Sequence, residues 1–299
     1  MKTNDFLRLL KEKSIKSHKE IQMKKLTKQF IGWLTVLIFV SIGASANAEF
    51  TTRELNQQSI LALSWVQNSA EFKALAFQAF NLAKLRWDMD QQQGKKCVVV
   101  DVDETILDNS PFNAGLIGRD YGYNNSSWKE WCDAAIATAI PGAVDFLNHV
   151  VSTGGAVFYI TNRKAEPEKN MDLTQVTLNN LRALGFPQID KEHVLLRTGF
   201  SNKQPRRDAI ARMGFRTVLL IGDTLADFAD VFDGQTMEER DKAVEMNKAE
   251  FGDRFIVLPN PIYGDWETAV YGGGDWYKKT AKEKSDIRMN TLRKFNFSK

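Results

Sequence analysis

The sequence predicts an open α/β fold, in which a parallel sheet is covered by helices on both faces. The main observation is that five short apolar runs rich in β-branched residues alternate with longer segments of helical periodicity. Such runs suit strands that are buried on both faces, as in a parallel sheet. The composition agrees, since the 299 residues are 43% hydrophobic and 26% charged, as in ordinary globular chains.

The elements follow one another in a regular order. A first helical stretch spans residues 53–90, where apolar side chains recur at three- and four-residue steps. The expected strands lie at 97–101, 156–161, 193–196, 217–223 and 255–258. The expected helices between and after them lie at 141–151, 168–184, 203–213 and 238–250, with a charged helix near the C-terminus. The turn-rich, aromatic stretch 111–138 indicates an insertion.

Residues 1–48 predict a secretory signal peptide. The uncharged apolar run 30–40 follows three lysines and ends before the small-residue site 46–48. Cleavage near Ala48 is expected to leave a soluble secreted or periplasmic protein, and an uncleaved membrane anchor is the alternative. No cysteine follows the apolar run closely enough for lipid attachment. Because such leaders begin with short basic regions, Met23 is the expected start and residues 1–22 an upstream extension, while Met1 stays open as the alternative start.

Charge and cysteine content exclude several classes of protein. The formal charge is +3, from 40 basic and 37 acidic residues, but nine basic and three acidic residues lie in the first 48. The remainder therefore carries 31 basic and 34 acidic side chains, and no basic surface for nucleic acid is expected. Cys97 and Cys132 are too few for a disulfide framework. Two buried thiols are the simpler expectation, and a pair between them stays open.

Polar side chains lie where the expected strands end or the next helix begins. They are Asp101, Asp103, Thr161, Asn162, Lys203, Asp223 and Asp227. Because the carboxyl ends of parallel strands meet at one crevice, we expect these groups to converge. Several carboxylates in one crevice repel unless a cation neutralises them, and oxygen ligands favour Mg²⁺. With a hydroxyl and an ammonium suited to phosphate oxygens, the set predicts a phosphoryl-transfer site.

These motifs resemble those of the haloacid dehalogenase superfamily and, within it, of class C acid phosphatases, the lipoprotein e family of bacterial 5′-nucleotidases. The resemblance covers about residues 55–290, and its motifs lie at 101–111, 161–163, 201–206, 222–228 and 259–267. It implies a Rossmann-like parallel sheet with a small cap insertion at about 111–138, in a domain of residues 49–299. It also implies an Mg²⁺-dependent acid phosphatase for phosphomonoesters, with nucleoside 5′-monophosphates as the expected substrates.

The resemblance implies roles for the aspartates. Asp101 is the nucleophile, which becomes an aspartyl-phosphate, and Asp103 protonates the leaving oxygen and then activates water. The carboxylates of Asp101 and Asp223 and the backbone carbonyl of Asp103 hold Mg²⁺. Asp227 fixes metal-bound water. Because Asp103 must be protonated while Asp101 is ionised, activity is expected to peak below pH 7.

Further roles concern the substrate. Thr161, Asn162 and Lys203 are the phosphate-binding residues that the resemblance implies. Trp128 and Tyr263 match the aromatic clamp for the nucleoside, with a core position for Trp128 and a loop anchor for Tyr263 as the alternatives. The expected partners are small phosphomonoesters, nucleotides among them, and no nucleic acid. A homodimer is compatible with the sequence, and the membrane enters only transiently, during export.

Rival functions fit the sequence less well. No Arg-His-Gly offers a histidine nucleophile, and neither cysteine has an arginine six residues later. A dehalogenase does not need Asp103, whose proton transfer serves an alkoxide leaving group. A non-enzymatic surface binding or adhesion protein on a retained phosphatase fold is the alternative of another class. It predicts the loss of a motif aspartate, whereas all four are present.

Overall fold

The computed structural model describes residues 11, 13, 16–20, 22–28, 50–234 and 236–297. Residues 1–49 and 50–299 form separate units, and 16–20 and 22–28 of the first unit are helical. The apolar run 30–40 and the site at 46–48 lie outside the described residues, so the signal peptide stays a prediction. No helix in the part of the chain that is described is long and apolar enough to cross a membrane.

Within the second unit, the sheet has five strands that pair in parallel. With strands numbered in chain order, they are β1 Lys96–Val100, β4 Ala156–Glu166, β6 Val194–Arg197, β7 Arg216–Gly222 and β8 Phe255–Val257. Their order across the sheet is β6-β4-β1-β7-β8. The short β5, Met171–Asp172, pairs antiparallel with the end of β4. β2 (Leu107–Asp108) and β3 (Thr138–Ala139) form a separate antiparallel pair.

Eleven α-helices of the described residues 50–297 surround these strands. They are α1 Thr52–Gln57, α2 Ile60–Asn68, α3 Ala70–Met89, α4 Ser110–Gly115, α5 Asn125–Ala134, α6 Ala143–Ser152, α7 Thr174–Ala183, α8 Gln204–Arg212, α9 Met237–Met246, α10 Asp265–Val270 and α11 Ala281–Thr291. Both α4 and α5 fall in the insertion expected at 111–138, or at its edge. Short 3₁₀ turns lie at Pro167–Lys169, Leu225–Asp227, Asp230–Phe232 and Trp276–Lys278.

Both faces of the sheet are covered, as the sequence predicts. Successive residues of β1 alternate between two apolar clusters, with Val98 and Val100 in one and Cys97 and Val99 in the other. The first cluster includes side chains of α3, α6 and α7, and the second includes side chains of α8 and α9. This arrangement confirms the α/β fold class. Cys97 belongs to the second cluster and Cys132 to the first, and both are buried free thiols.

Two expected helices have different bounds in the structure. The stretch 53–90 is three helices, with breaks at residues 58–59 and at Ser69. At the second break Ser69 adopts an extended conformation, and its side chain accepts a bond from the Phe72 backbone amide at the start of α3. The helix expected over 168–184 begins only at Thr174, since β4 continues to Glu166 and a 3₁₀ turn and β5 follow. Asn170, with φ 52°, ends that turn in the left-handed region.

Candidate active site

Three aspartates that follow β1 and β7 lie together at the carboxyl edge of the sheet. One carboxylate oxygen each of Asp101, Asp223 and Asp227 lies within 4.8 Å of the others. Lys203, just before α8, reaches two of them, because its ammonium donates to Asp101 Oδ1 and, at 2.5 Å, to Asp227 Oδ1. The structure thus brings the ends of β1 and β7 and the start of α8 together, as the sequence predicts for parallel strands.

Neighbouring side chains fix the orientation of these carboxylates. The Thr105 hydroxyl donates to Asp101 Oδ2 at 3.1 Å and to Asp223 Oδ1 at 3.2 Å. The side-chain amide of Asn260 donates to Asp223 Oδ2 at 2.8 Å, and the Thr224 amide donates to Asp227 Oδ2 at 3.1 Å. Each carboxylate therefore has a donor that sets its rotation.

A glycine at the end of β7 permits the close approach of Asp227. A Cβ atom added at Gly222 would lie 2.4 Å from the Cβ of Asp227 and 2.2 Å from its Oδ2. Real carbon atoms do not approach so closely, so any side chain at residue 222 would displace Asp227. The Gly-Asp order at the end of this strand thus has a steric cause.

The charge balance of this cluster fits a divalent cation. Burial raises the pKa of Asp101 to about 7, with Asp227 and Asp103 adding to the rise and Lys203 opposing it. Burial, with the nearby charges of Asp101 and Asp227, also holds the pKa of Asp223 well above its usual range. A single ammonium faces three carboxylates, which leaves excess negative charge and hard oxygen ligands for an ion such as Mg²⁺.

Asp103 lies beside this cluster and is held by an arginine. Arg163 Nη2 lies 2.8 Å from Asp103 Oδ1, and Arg163 Nε donates to Oδ1 at 3.0 Å and to Oδ2 at 3.3 Å. The side-chain amide of Asn109 donates to Oδ1 at 2.9 Å, and the Thr161 hydroxyl donates to Oδ2 at 3.1 Å. The Asp103 carboxyl is therefore fixed at both oxygens.

The residues expected to bind phosphate differ in their surroundings. Lys203 and Asn162 line the cavity that holds the aspartates. Thr161 is completely buried, and its hydroxyl contacts Asp103. Arg206 connects β4 to the loop before α8. Its guanidinium donates to the Thr161 carbonyl at 2.6 Å, to Asn162 Oδ1 at 2.7 Å and to the Ser201 carbonyl at 3.0 Å.

The cavity has a volume of about 610 Å³ and an aromatic side. Phe112, Tyr123, Trp128 and Tyr263 all line it. Trp128 is only 8% exposed, lies edge-on to Phe112 with ring centroids 5.0 Å apart, and has the Arg163 guanidinium 5.6 Å from its ring. Tyr123, 6.0 Å from Trp128, is 61% exposed. Trp128 thus combines a core position with access to the cavity, and Tyr123 is the more accessible ring.

Tyr263 is tied to the first motif through a buried glutamate. Its hydroxyl donates to Glu104 Oε2, while Glu104 Oε1 accepts a bond from the backbone N–H of Asn109 at 3.0 Å. Burial raises the pKa of Glu104 to about 8, with the Asp103 charge adding to the rise. Glu104 also adopts φ 60°, which is unusual for a residue other than glycine. The loop that carries Tyr263 is therefore fastened to the turn after β1.

The structure adds residues that the sequence did not single out. Thr105, Arg163 and Asn260 lie within the quoted motifs, yet their contacts with Asp101, Asp103 and Asp223 come only from the fold. Arg163 had one usable signal, because it directly follows the Thr161-Asn162 pair at the end of an apolar strand. A charged residue at the end of a buried strand needs a partner of opposite charge.

Comparison with known proteins agrees with this geometry. The family model of the HAD superfamily, subfamily IIIB (acid phosphatase), matches residues 39–266. The chain belongs to this family. This confirms the family resemblance found in the motifs and the predicted enzyme class, a phosphomonoester hydrolase.

Solved structures and curated relatives give the same result. The chain is similar to the class C acid phosphatase from Bacillus anthracis, with 39% identity, a TM-score of 0.74, and coverage of 81% of this chain and 99% of that one. A tungstate-bound crystal structure of that phosphatase matches with the same values. Acid phosphatase 1 of Solanum lycopersicum is 27% identical over 180 residues, and a stem 31 kDa glycoprotein of Glycine max is 25% identical over 170.

These two plant proteins are matched over only part of their length. The alignments cover 59% of the Solanum lycopersicum protein and 57% of the Glycine max protein. The chain thus spans less than two thirds of the curated relatives it matches, and they support the family assignment alone.

Proposed function

We propose that this chain is an Mg²⁺-dependent acid phosphatase that hydrolyses nucleoside 5′-monophosphates through an aspartyl-phosphate on Asp101. The observation that carries the proposal is the position of Asp101, buried between Lys203 and Asp223 with a second carboxylate, Asp103, held beside it. One group supplies a nucleophile and the other a proton. The family and the tungstate-bound relative support a site for tetrahedral oxyanions.

Hydrolysis of the phosphomonoester proceeds in two steps, and Asp101 and Asp103 act in both. An Asp101 oxygen attacks phosphorus, and the bond from phosphorus to the ester oxygen breaks. The electron pair stays on that oxygen, which takes the proton of Asp103. A water then attacks phosphorus and gives its proton to Asp103. The bond from phosphorus to Asp101 breaks, and the electron pair returns to the carboxylate.

A metal ion fits the same residues. The Asp101 and Asp223 carboxylates, with the Asp103 backbone carbonyl, would hold Mg²⁺, and Asp227 would orient its water. When bound, Mg²⁺ neutralises the carboxylates and the charge on the transferring phosphoryl group. Lys203 adds an ammonium at the same place.

The aromatic side of the cavity supports a nucleoside as leaving group. Phosphate contacts are common to all phosphomonoesters and cannot choose among them. A base that stacks on a ring gains about 1–3 kcal/mol with little regard to its identity. Trp128 and Tyr123 both line the cavity, so we expect broad use of nucleoside 5′-monophosphates in preference to sugar phosphates.

The test is an assay of phosphate release with and without metal. Purified protein is treated with a chelator, dialysed and assayed with p-nitrophenyl phosphate and with adenosine 5′-monophosphate at several pH values. We expect no turnover without metal, recovery with Mg²⁺ and a maximum below pH 7, since a bound cation opposes the rise in the pKa of Asp101 and keeps it ionised. Full activity in the presence of chelator, or a maximum at pH 8 or above, would contradict the proposal.

We also propose export and cleavage of the leader, which would leave a soluble secreted or periplasmic enzyme. The small-residue site 46–48 supports cleavage before Glu49. Amino-terminal sequencing of protein from the native host checks this directly. An amino terminus upstream of residue 30 would instead indicate an anchored protein.

A further inference from the structure

Arg197 is a cation without a partner in the wall of the catalytic cavity. It is the last residue of β6 and lines the cavity together with Asp101 and Lys203. Its Nε is buried and makes no hydrogen bond, and its guanidinium forms no ion pair with any residue of 50–234 or 236–297. Because Nε itself is closed to a ligand, an anionic ligand in the cavity would bind Arg197 through its terminal Nη groups.

The other arginines that line the cavity have carboxylate partners. Arg163 lies 2.8 Å from Asp103, and Arg288 contacts Glu267. Lys203 is held by two aspartates. Among the arginines of the cavity lining that the structure describes, Arg197 thus differs in having no carboxylate at ion-pair distance, although its charge acts on Glu166. Its positive charge also helps to lower the pKa of Arg206 to about 10, an effect caused mainly by burial.

Arg197 lies on the side of the cavity that faces the insertion, where the leaving group of the substrate is expected. In the parallel pair of β4 and β6, Arg197 is in register with Lys164, and paired residues share a face of a sheet. Lys164 Nζ donates to Asn125 Oδ1, at the start of α5 in the insertion, at 3.1 Å. The charge of Arg197 also acts on the phenol of Tyr123. Both observations put the guanidinium on the side of the insertion and its rings.

We propose that Arg197 binds a second phosphate group carried by the leaving group, so that nucleosides with two separate phosphates, such as nucleoside 3′,5′-bisphosphates, are substrates at the 5′ ester. The inference rests on the proposed function, since the first phosphate occupies the aspartate site. A guanidinium offers two parallel N–H groups that match phosphate oxygens. A cavity of about 610 Å³ is also of the size typical of small-molecule sites.

Binding to a variant that does not turn over tests this inference. Asp101→Asn is titrated in the presence of Mg²⁺ with adenosine 5′-monophosphate, with adenosine 3′,5′-bisphosphate and with inorganic phosphate. The same titrations are made with Arg197→Gln, Arg197→Lys and Arg212→Gln added singly. Arg212 is an exposed arginine at the end of α8 and gives a control of equal charge change. Circular dichroism checks that each variant is folded.

We expect the bisphosphate to bind about tenfold more tightly than the monophosphate, which corresponds to roughly 1.4 kcal/mol. Arg197→Gln should abolish that difference and change the dissociation constant of the monophosphate less than about twofold. Arg197→Lys should keep part of the difference, and Arg212→Gln all of it. Equal weakening of all three ligands by Arg197→Gln would overturn the inference, as would equal affinity for the two nucleotides before Arg197 is changed.

A parallel assay separates this inference from the proposed function. If the unmodified protein releases phosphate from neither nucleotide with Mg²⁺, the proposed function fails, whatever the titrations show. If it releases the 5′-phosphate of both nucleotides and Arg197→Gln lowers kcat/KM equally for both, only the role of Arg197 fails.

Discussion

The two sides of the cavity are built differently. The polar floor, defined as Asp101, Asp223, Asp227 and Lys203, lies at strand ends and at the start of a helix, and hydrogen bonds fix each carboxylate. The aromatic wall, defined as Phe112, Tyr123, Trp128 and Tyr263, lies in the insertion and in the loop after β8. The three rings of the insertion, Phe112, Tyr123 and Trp128, pack on one another.

This difference separates chemistry from substrate choice. Strand ends of a packed sheet hold charged groups at fixed distances, which bond making at phosphorus requires. Rings on an insertion can change in size and position without disturbing the sheet. Variants of the floor should therefore affect every substrate, whereas variants of the wall should affect substrates according to their leaving groups.

The largest effect is expected at the floor. Asp101→Asn keeps the shape of the side chain but cannot attack phosphorus, so kcat should fall about 10³-fold or more for all substrates. Steady-state kinetics with p-nitrophenyl phosphate and a nucleotide measure it. Asp208→Asn, an exposed aspartate on α8, is the matched control. Retention of more than about a tenth of the activity would exclude covalent catalysis by Asp101.

Arg163 lies between Asp103, which is beside the floor, and the wall, because it holds the Asp103 carboxylate and lies against the Trp128 ring. Arg163→Met should misalign the proton donor, which matters most for poor leaving groups. We expect kcat/KM to fall about 10²-fold for glycerol phosphate but less than about tenfold for p-nitrophenyl phosphate, and Arg163→Lys to fall between. kcat/KM is the right quantity because it reports the step that expels the leaving group.

An equal fall for both phosphates would mean that Arg163 supports the fold or the phosphate site and not the proton donor. The melting temperature of each variant is measured alongside, since Arg163 is buried and also contacts Thr177.

At the wall, Trp128→Ala should raise KM for nucleotides about tenfold, as expected for the loss of roughly 1.4 kcal/mol of stacking. Glycerol phosphate, which has no base, should change less. Tyr123→Ala tests the more exposed ring in the same assay. If Trp128→Ala affects glycerol phosphate as strongly as a nucleotide, the side chain acts as core and not as a clamp.

The smallest effect is expected for Tyr263→Phe. The change keeps the ring but removes the hydroxyl that donates to Glu104, so the free energy of unfolding should fall by about 1 kcal/mol. KM for nucleotides should stay within about twofold, because stacking needs only the ring. Thermal unfolding and nucleotide kinetics measure the two quantities. A rise in KM as large as that of Trp128→Ala would place the hydroxyl on the substrate.

The sequence predicted the sheet well because buried strands leave a strong pattern. The apolar runs before Asp101 and Asp223 located β1 and β7, and the parallel arrangement placed their ends together. The region after Thr161 was predicted less well. Residues 164–172 extend β4 and form a 3₁₀ turn and β5, whereas the sequence favoured a helix from residue 168. The expectation failed because the pairing of β4 with β6 and with β5 leaves no pattern in local periodicity.

The candidate site shows the same limit. Its carboxylates could be named from the sequence, since an aspartate after an apolar run is a visible signal. Their partners could not, because Thr105 and Asn260 lie far apart in the chain and meet only at Asp223. Whether an arginine is paired is likewise a property of the fold, as Arg163 and Arg197 show.

The two thiols have a consequence for handling the protein. Cys97 and Cys132 belong to different apolar clusters, and burial raises their pKa values to about 11 and about 12. Thiols of this kind stay protonated at neutral pH and react slowly with alkylating agents and oxidants. The folded domain therefore needs no disulfide chemistry, and it should be produced equally well in a reducing cytoplasm and in an oxidising compartment.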